Sequence, residues 1–242
     1  MTRHGLARVL SKRGLCSRTQ AAVWIAEGLV TVNGRTVRDA EHPVRMDVDR
    51  VDVRGLDDAS AAPVFIALNK PRGLVTTARD EQGRDTVYRC FDGASLPWLA
   101  PVGRLDKASE GLLLFSNDPA WAARVTDPAT GPSKLYHVQI DRLADDVLLD
   151  ALRAGVHDGG ETLSAASVDV LRHGERNAWL EIVLEAGRNR HIRRMLTAHG
   201  VGVIRLVRVA IGCVTLGSLP KGGWRPLSVG EAQSLAPPGR AR

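Results

Sequence analysis

Two stretches of this chain hold almost no acid. Residues 1 to 38 carry seven Arg or Lys against Glu27 alone, and Gly187 to Ala210 carry six Arg, two His and neither Asp nor Glu. The net charge of the whole chain is only +6, so the first stretch accounts for the entire excess and the remainder is balanced. A basic module on a neutral body points to a polyanionic partner, because neutralising phosphates releases counterions whatever the base sequence. Cysteine is also scarce. Cys16, Cys90 and Cys213 are odd in number, far apart and without a C-x-x-C pair, which argues against a disulfide framework or a zinc site and leaves three reduced thiols. Apolar runs such as Leu112 to Phe115 fall far short of the roughly 20 residues that cross a bilayer, and Met1 to Gly5 offers no apolar signal core. The expectation is a cytoplasmic protein with no membrane partner. No G-x-G-x-x-G, P-loop, G-x-S-x-G or H-E-x-x-H motif occurs, so dinucleotide chemistry, phosphate hydrolysis and the common metalloproteases lose their usual support.

What is present suits a folded body of one main domain and a small appendage, with hydrophobic residues at 44% and charged residues at 25% of 242. Leu6, Val9 and Leu10 recur at helical spacing until Gly14. Ser17 with Gln20 reads as a capping box for a second helix, whose face is lined by Ala22, Ile25, Ala26 and Leu29. Asn33-Gly34 between Leu29–Val32 and Arg35–Val37 is a tight-hairpin signal. Residues 57–63, small and polar with a closing proline, read as a linker. Beyond it, extended segments are expected at 64–69, 111–116, 135–140, 168–171, 178–184, 201–209 and 212–216. Helices are expected after Asp118-Pro119, over 143–154 and over 190–199. The division is therefore 1–56, linker 57–63, body 64–235 and a disordered tail 236–242. The fold class is α+β, a basic helix-helix-hairpin module followed by a largely antiparallel mixed sheet.

Three segments could carry chemistry: Asn69-Lys70-Pro71-Arg72-Gly73; Gly103-Arg104-Leu105-Asp106 with Gly111 to Phe115 behind it; and Gly187 to Arg194. Taken alone, a carboxylate placed like Asp106 is usually a turn cap or an ion-pair member. The third segment puts Ile192, Met195 and Leu196 on one side of a helix and Arg190, Arg193 and Arg194 towards the other. That is either a solvated basic face or a phosphate clamp that also supplies a counter-ion to a carboxylate.

Two resemblances join these pieces. Leu6 to Val37, with Leu10, Gly14, Ser17-Arg18, Gly28, Val30 and Val32-Asn33-Gly34, resembles an S-four-like RNA-binding domain, which implies phosphate contacts for Arg13, Arg18 and Arg35. From Leu6 to about Leu227 the chain resembles the RsuA-type ribosomal RNA pseudouridine synthases. The matching pieces are Lys70-Pro71, Gly103 to Asp106, Lys134-Leu135-Tyr136-His137-Val138, Ile192-Arg193 and Trp224 to Leu227. His191 stands where relatives commonly have Gln, and Asp127-Pro128 where His-Pro or Asn-Pro is usual.

The resemblance implies isomerisation of a ribosomal RNA uridine, large-subunit RNA favoured, by cutting the base-sugar bond, turning the base and rejoining it through carbon 5. No metal or small-molecule cofactor is implied, and the partner is ribosomal RNA or an assembly intermediate bound by a monomer. Asp106, Tyr136 and Arg193 take the catalytic roles, Arg193 as the guanidinium that favours the ionised carboxylate and Tyr136 as the ring stacked on the base. Arg104 fills the gap left by the extruded nucleotide and Ile192 packs on the base, with Lys70, Arg188 and Arg190 as further substrate contacts. A non-catalytic RNA-binding or ribosome-assembly factor on the same fold is the alternative. The joint presence of Asp106, Tyr136 and Arg193 argues against it.

Overall fold

The computed structural model describes residues 3–46, 48–55, 62–78 and 80–236. Most of the expected 57–63 linker lies outside the described residues, as does the expected tail beyond 236. Ala236 itself does not begin a disordered tail, since it is buried at 4% exposure behind the last helix, Val229–Leu235. The chain divides into two compact units. One comprises Met1–Phe65, Ala94–Ala100 and Phe115–Ala122, the other Ile66–Gly93, Pro101–Leu114 and Ala123–Arg242. No helix among the described residues is long and apolar enough to cross a membrane.

In the first unit, helices Leu6–Lys12 and Arg18–Ala26 bury Leu6, Val9, Leu10, Ala21 and Ile25 against a small sheet. The second helix starts at Ser17, whose hydroxyl accepts the Gln20 N–H. A complete capping box, with both reciprocal bonds, occurs instead at Ser228 and Glu231. Strands Val30–Val32 and Arg35–Thr36 pair antiparallel across Asn33 and Gly34, whose φ values of 51° and 79° are those of a primed hairpin turn. Val51–Val53 adds a third strand on the other side of Val30–Val32. Arg13 ties the approach to that strand down, donating to the carbonyls of Val51, Met46 and Asp49.

The second unit is built on a sheet ordered Ser167–His173, Ala178–Leu184, Lys134–Ile140, Val203–Ile211, Glu110–Ser116, Phe65–Lys70, Trp224–Pro226. The Val203–Ile211 strand is antiparallel to Lys134–Ile140 and parallel to Glu110–Ser116. Burial follows position. Lys134–Ile140 and Ala178–Leu184 alternate between buried and half-buried residues, so one face is covered. Glu110–Ser116 is buried along its whole length, and its Leu112 to Phe115 run is therefore continuous rather than alternating. The expected 143–154 helix begins later, at Asp146, because the Asp145 carboxylate accepts the Leu148 N–H and so fixes the N-cap there.

Gly111 sits at φ 101° against the neighbouring strand, where an added Cβ would lie 2.3 Å from the Arg208 carbonyl oxygen. Both the backbone conformation and the contact with rigid backbone exclude a side chain. Gly111→Ala is expected to lower stability by about 2 to 4 kcal/mol. A urea midpoint equal to that of the wild type would contradict this.

Candidate active site

The turn carrying Asp106 is held from beneath by a buried ammonium. Lys70, fully buried at the end of the Phe65–Lys70 strand, donates to the carbonyl oxygens of Pro71 (3.1 Å), Asp106 (3.2 Å) and Ser109 (2.8 Å). Burial pushes its pKa down to about 8, with the Asp106 charge acting the other way. This corrects the expectation that Lys70 contacts substrate, because its donors are spent on backbone inside the fold. Thr76 adds a second anchor, its hydroxyl donating to the Leu105 carbonyl at 2.7 Å, and Ser109 N–H closes the turn on the Asp106 carbonyl at 2.9 Å. Asp106 thus projects a half-exposed carboxylate, 36% accessible, from a fixed backbone.

Its direct partner is not the arginine expected. Arg190 Nη1 lies 3.6 Å from Asp106 Oδ2, whereas Arg193 donates to the carbonyls of Ala108 (3.3 Å) and Val203 (3.4 Å). Arg193 still feels Asp106. Burial lowers its pKa, the nearby Arg190 adds to that, and the Asp106 charge opposes both. Arg190 caps the His191–Ala198 helix in a left-handed conformation at φ 49°, which among the described non-glycine residues it shares with Asn33.

The acid-free segment finds its anions elsewhere in the chain. Of its six arginines, four meet carboxylates: Arg188 and Arg194 on Glu161, Arg194 also on Asp158, Arg190 on Asp106 and Arg205 on Glu110. Glu161 and Asp158 come from a hairpin, Val156–Asp158 and Glu161–Leu163, turned at Gly159-Gly160. Sequence reading passed over that hairpin, although Gly-Gly between short β-rich runs signals one. Among the described residues, Arg193 and Arg208 bond only to backbone carbonyls and keep Nε and Nη2, respectively, without a partner.

Asp106, Arg104, Tyr136, Arg188, Arg190, Ile192 and Arg193 all line one cavity of about 590 Å³. Tyr136 and Ile192 are 7% and 3% exposed, forming apolar wall, while Arg104 is exposed. Lys70 is not among the lining residues. Lys134, Arg208 and Glu161 are, and sequence reasoning gave none of them a site role. The available signal was strand parity, since Lys134 lies two residues from Tyr136 and Arg208 lies opposite Tyr136 in the sheet register. Among the described residues no group of three or more His, Cys, Asp or Glu could hold a metal ion.

Residues 64–198 match the family model for RNA pseudouridylate synthase. The chain belongs to the RNA pseudouridylate synthase family. Residues 5–49 match the S4 domain ahead of it. Similar family members include an uncharacterised RNA pseudouridine synthase of Aquifex aeolicus, 35% identical over 94% of this chain and 92% of that one. Another is ribosomal large subunit pseudouridine synthase B of Bacillus subtilis, 33% identical over 95% and 94%. A solved pseudouridylate synthase structure aligns over 98% of this chain and 100% of its own, with 27% identity and a TM-score of 0.66. A pseudouridine synthase isomerises uridine in RNA, and the cavity around Asp106 is where this chain gathers its acid, aromatic and basic groups.

Behind Asp106, Glu110 is 4% exposed in its side chain and is held by Arg205, at 2.5 and 3.0 Å, and by Lys221 at 2.9 Å. The Arg205 hydrogen bonds, and after them that of Lys221, hold its carboxyl at about 2 despite the opposing effect of burial. A depressed carboxylate stabilises the fold above its ordinary value of 4.5, and that contribution is lost as pH falls through about 2. Glu110→Gln should therefore narrow the stability difference between about pH 7 and about pH 3, read from urea unfolding. The same pH dependence in variant and wild type would contradict it.

Proposed function

We propose that this synthase converts a uridine of ribosomal RNA, with large-subunit RNA favoured, to pseudouridine. The observation that carries the proposal is the convergence of Asp106, Tyr136, Ile192 and Arg193 on one cavity of about 590 Å³. The name of the Bacillus subtilis relative supports the choice of RNA. In this reading residues 1–56 form the RNA-holding module and 64–235 the catalytic domain. The protein works in the cytoplasm, as a monomer, on ribosomal RNA or an assembly intermediate, and needs no metal or small-molecule cofactor.

The chemistry breaks one bond and makes another between the same two partners. The target nucleotide leaves its stack and enters the cavity, Arg104 at the rim taking the vacated space. Tyr136 and Ile192 hold the base between apolar surfaces so that it can turn without escaping. The Asp106 carboxylate acts on the sugar at the bond being broken. Arg190 is its partner in the free protein. That pair is half exposed and so worth little, and incoming RNA phosphates can draw Arg190 away, leaving the half-buried Arg193 as the cation near the carboxylate. Arg188, tied to Glu161 at the rim, completes the basic entrance.

Asp106→Asn should fold with unchanged stability and form no pseudouridine, measured by tritium release from RNA labelled at carbon 5 of uracil. Full release would remove Asp106 from the reaction. In the RNA-holding module, Arg18 and Arg35 are exposed, while the Arg13 donors are engaged with backbone. Replacing both Arg18 and Arg35 with Ala should weaken RNA binding and reduce the slope of log affinity against log salt by roughly one to two. A slope identical to that of the wild type would assign the basic face to something other than phosphate.

A further inference from the structure

Two cations are buried in the wall of the cavity with no anion to meet them. Lys134 is 9% exposed and Arg208 6% exposed, on neighbouring antiparallel strands and on the same wall as Tyr136. Lys134 Nζ makes one long bond, 3.4 Å to the Glu185 carbonyl, and Arg208 Nε donates to the Leu112 carbonyl at 2.7 Å. Arg208 Nη2 has no partner although it is sealed from solvent. Among the described residues no carboxylate pairs with either side chain, in contrast to Arg188, Arg190, Arg194 and Arg205 of the same region. Burial, and then the repulsion of Arg208, pulls the Lys134 ammonium below its ordinary pKa. An unsatisfied buried donor is costly, the more so when charged, so a purely structural pair here is a poor solution.

We infer that Lys134 and Arg208 hold a carbonyl oxygen of the target uracil and stabilise the negative charge that the base carries while it is detached from the ribose. The inference rests on the synthase reading and adds a catalytic duty to it. When the C1′–N1 bond breaks, its electron pair leaves with the base and spreads over N1 and the adjoining carbonyl oxygen. When carbon 5 attacks C1′, that pair is committed to the new bond, N1 takes up a proton and carbon 5 gives one up, so nothing is oxidised or reduced. Between the two steps the base is an anion, and donors already aimed at its oxygen need no reorganisation. The cations at the exposed rim, Arg104 and Arg190, lie where the RNA strand with its phosphates must pass. Lys134 and Arg208 are buried on the Tyr136 wall of the cavity, beside the ring expected to stack on the base.

The test is single-turnover pseudouridine formation by the full chain on its target RNA, with RNA affinity titrated in parallel. Lys134→Gln keeps a donor for the Glu185 carbonyl but loses the charge, whereas Arg208 is unsuitable because it also holds the Leu112 backbone. Lys134→Gln is expected to slow the chemical step on the order of 10² to 10³-fold while leaving the RNA dissociation constant within about threefold, a shift of under 1 kcal/mol. Lys134→Arg should recover part of the lost rate, and an uncharged variant that merely packs badly would not be rescued this way. A Lys134→Gln rate close to that of the wild type overturns the inference. So does a loss of RNA affinity that accounts for the whole defect, which would make Lys134 a phosphate ligand. Absence of turnover in the wild type would remove the synthase reading itself, and this inference with it, whereas the other outcomes leave that reading standing.

Discussion

Among the described residues Lys70 bonds to no side chain, only to the carbonyl oxygens of Pro71, Asp106 and Ser109, and the geometry of the site depends on that interaction. A charged donor buried on three backbone acceptors satisfies carbonyls that a tight turn leaves without partners. In doing so it fixes the direction in which Asp106 projects. Thr76 does the same for Leu105, one residue earlier. The carboxylate can remain half exposed and accessible to a ribose because its backbone, not its oxygens, is what the fold grips.

Charge is then distributed by depth. At the exposed edge, Arg188 and Arg190 form ion pairs with Glu161 and Asp106, and such solvent-screened pairs exchange partners at little cost. Glu110 is itself buried, and the half-exposed Arg205 and the exposed Lys221 reach in to close on it. On the cavity wall itself, Arg193, Arg208 and Lys134 bond, among the described residues, only to carbonyl oxygens. The anions withheld from these three positions are the ones a ribosomal RNA substrate supplies in the proposed reaction. The rim is provisioned for exchange and the interior for a charge that exists only during the reaction.

Much of this was legible in the sequence, and the failures have physical causes. The Asn33-Gly34 turn and the alternation in Lys134–Ile140 are local signals, and the structure has a hairpin and a half-covered strand there. A glycine opening the apolar Gly111 to Phe115 run is a local signal too, and Gly111 makes a close backbone approach to Arg208. Partner choice was not local. Arg193 and Arg190 are three residues apart, and only the left-handed turn at Arg190 decides which of them meets Asp106. Lys70 was expected to contact substrate only because Lys70-Pro71 matches the family's Lys-Pro turn. Its burial depends on carbonyls 36 and 39 residues away. Lys134 and Arg208 received no role from the sequence, although strand parity turns both inward with Tyr136.

The most direct test of the central claim is a map of pseudouridines across ribosomal RNA from cells with and without this gene. The account predicts that a specific uridine position in large-subunit RNA loses its modification in the deletion and regains it when the wild-type gene is restored, but not when the restored copy carries Asp106→Asn. An identical map in all these strains would contradict it.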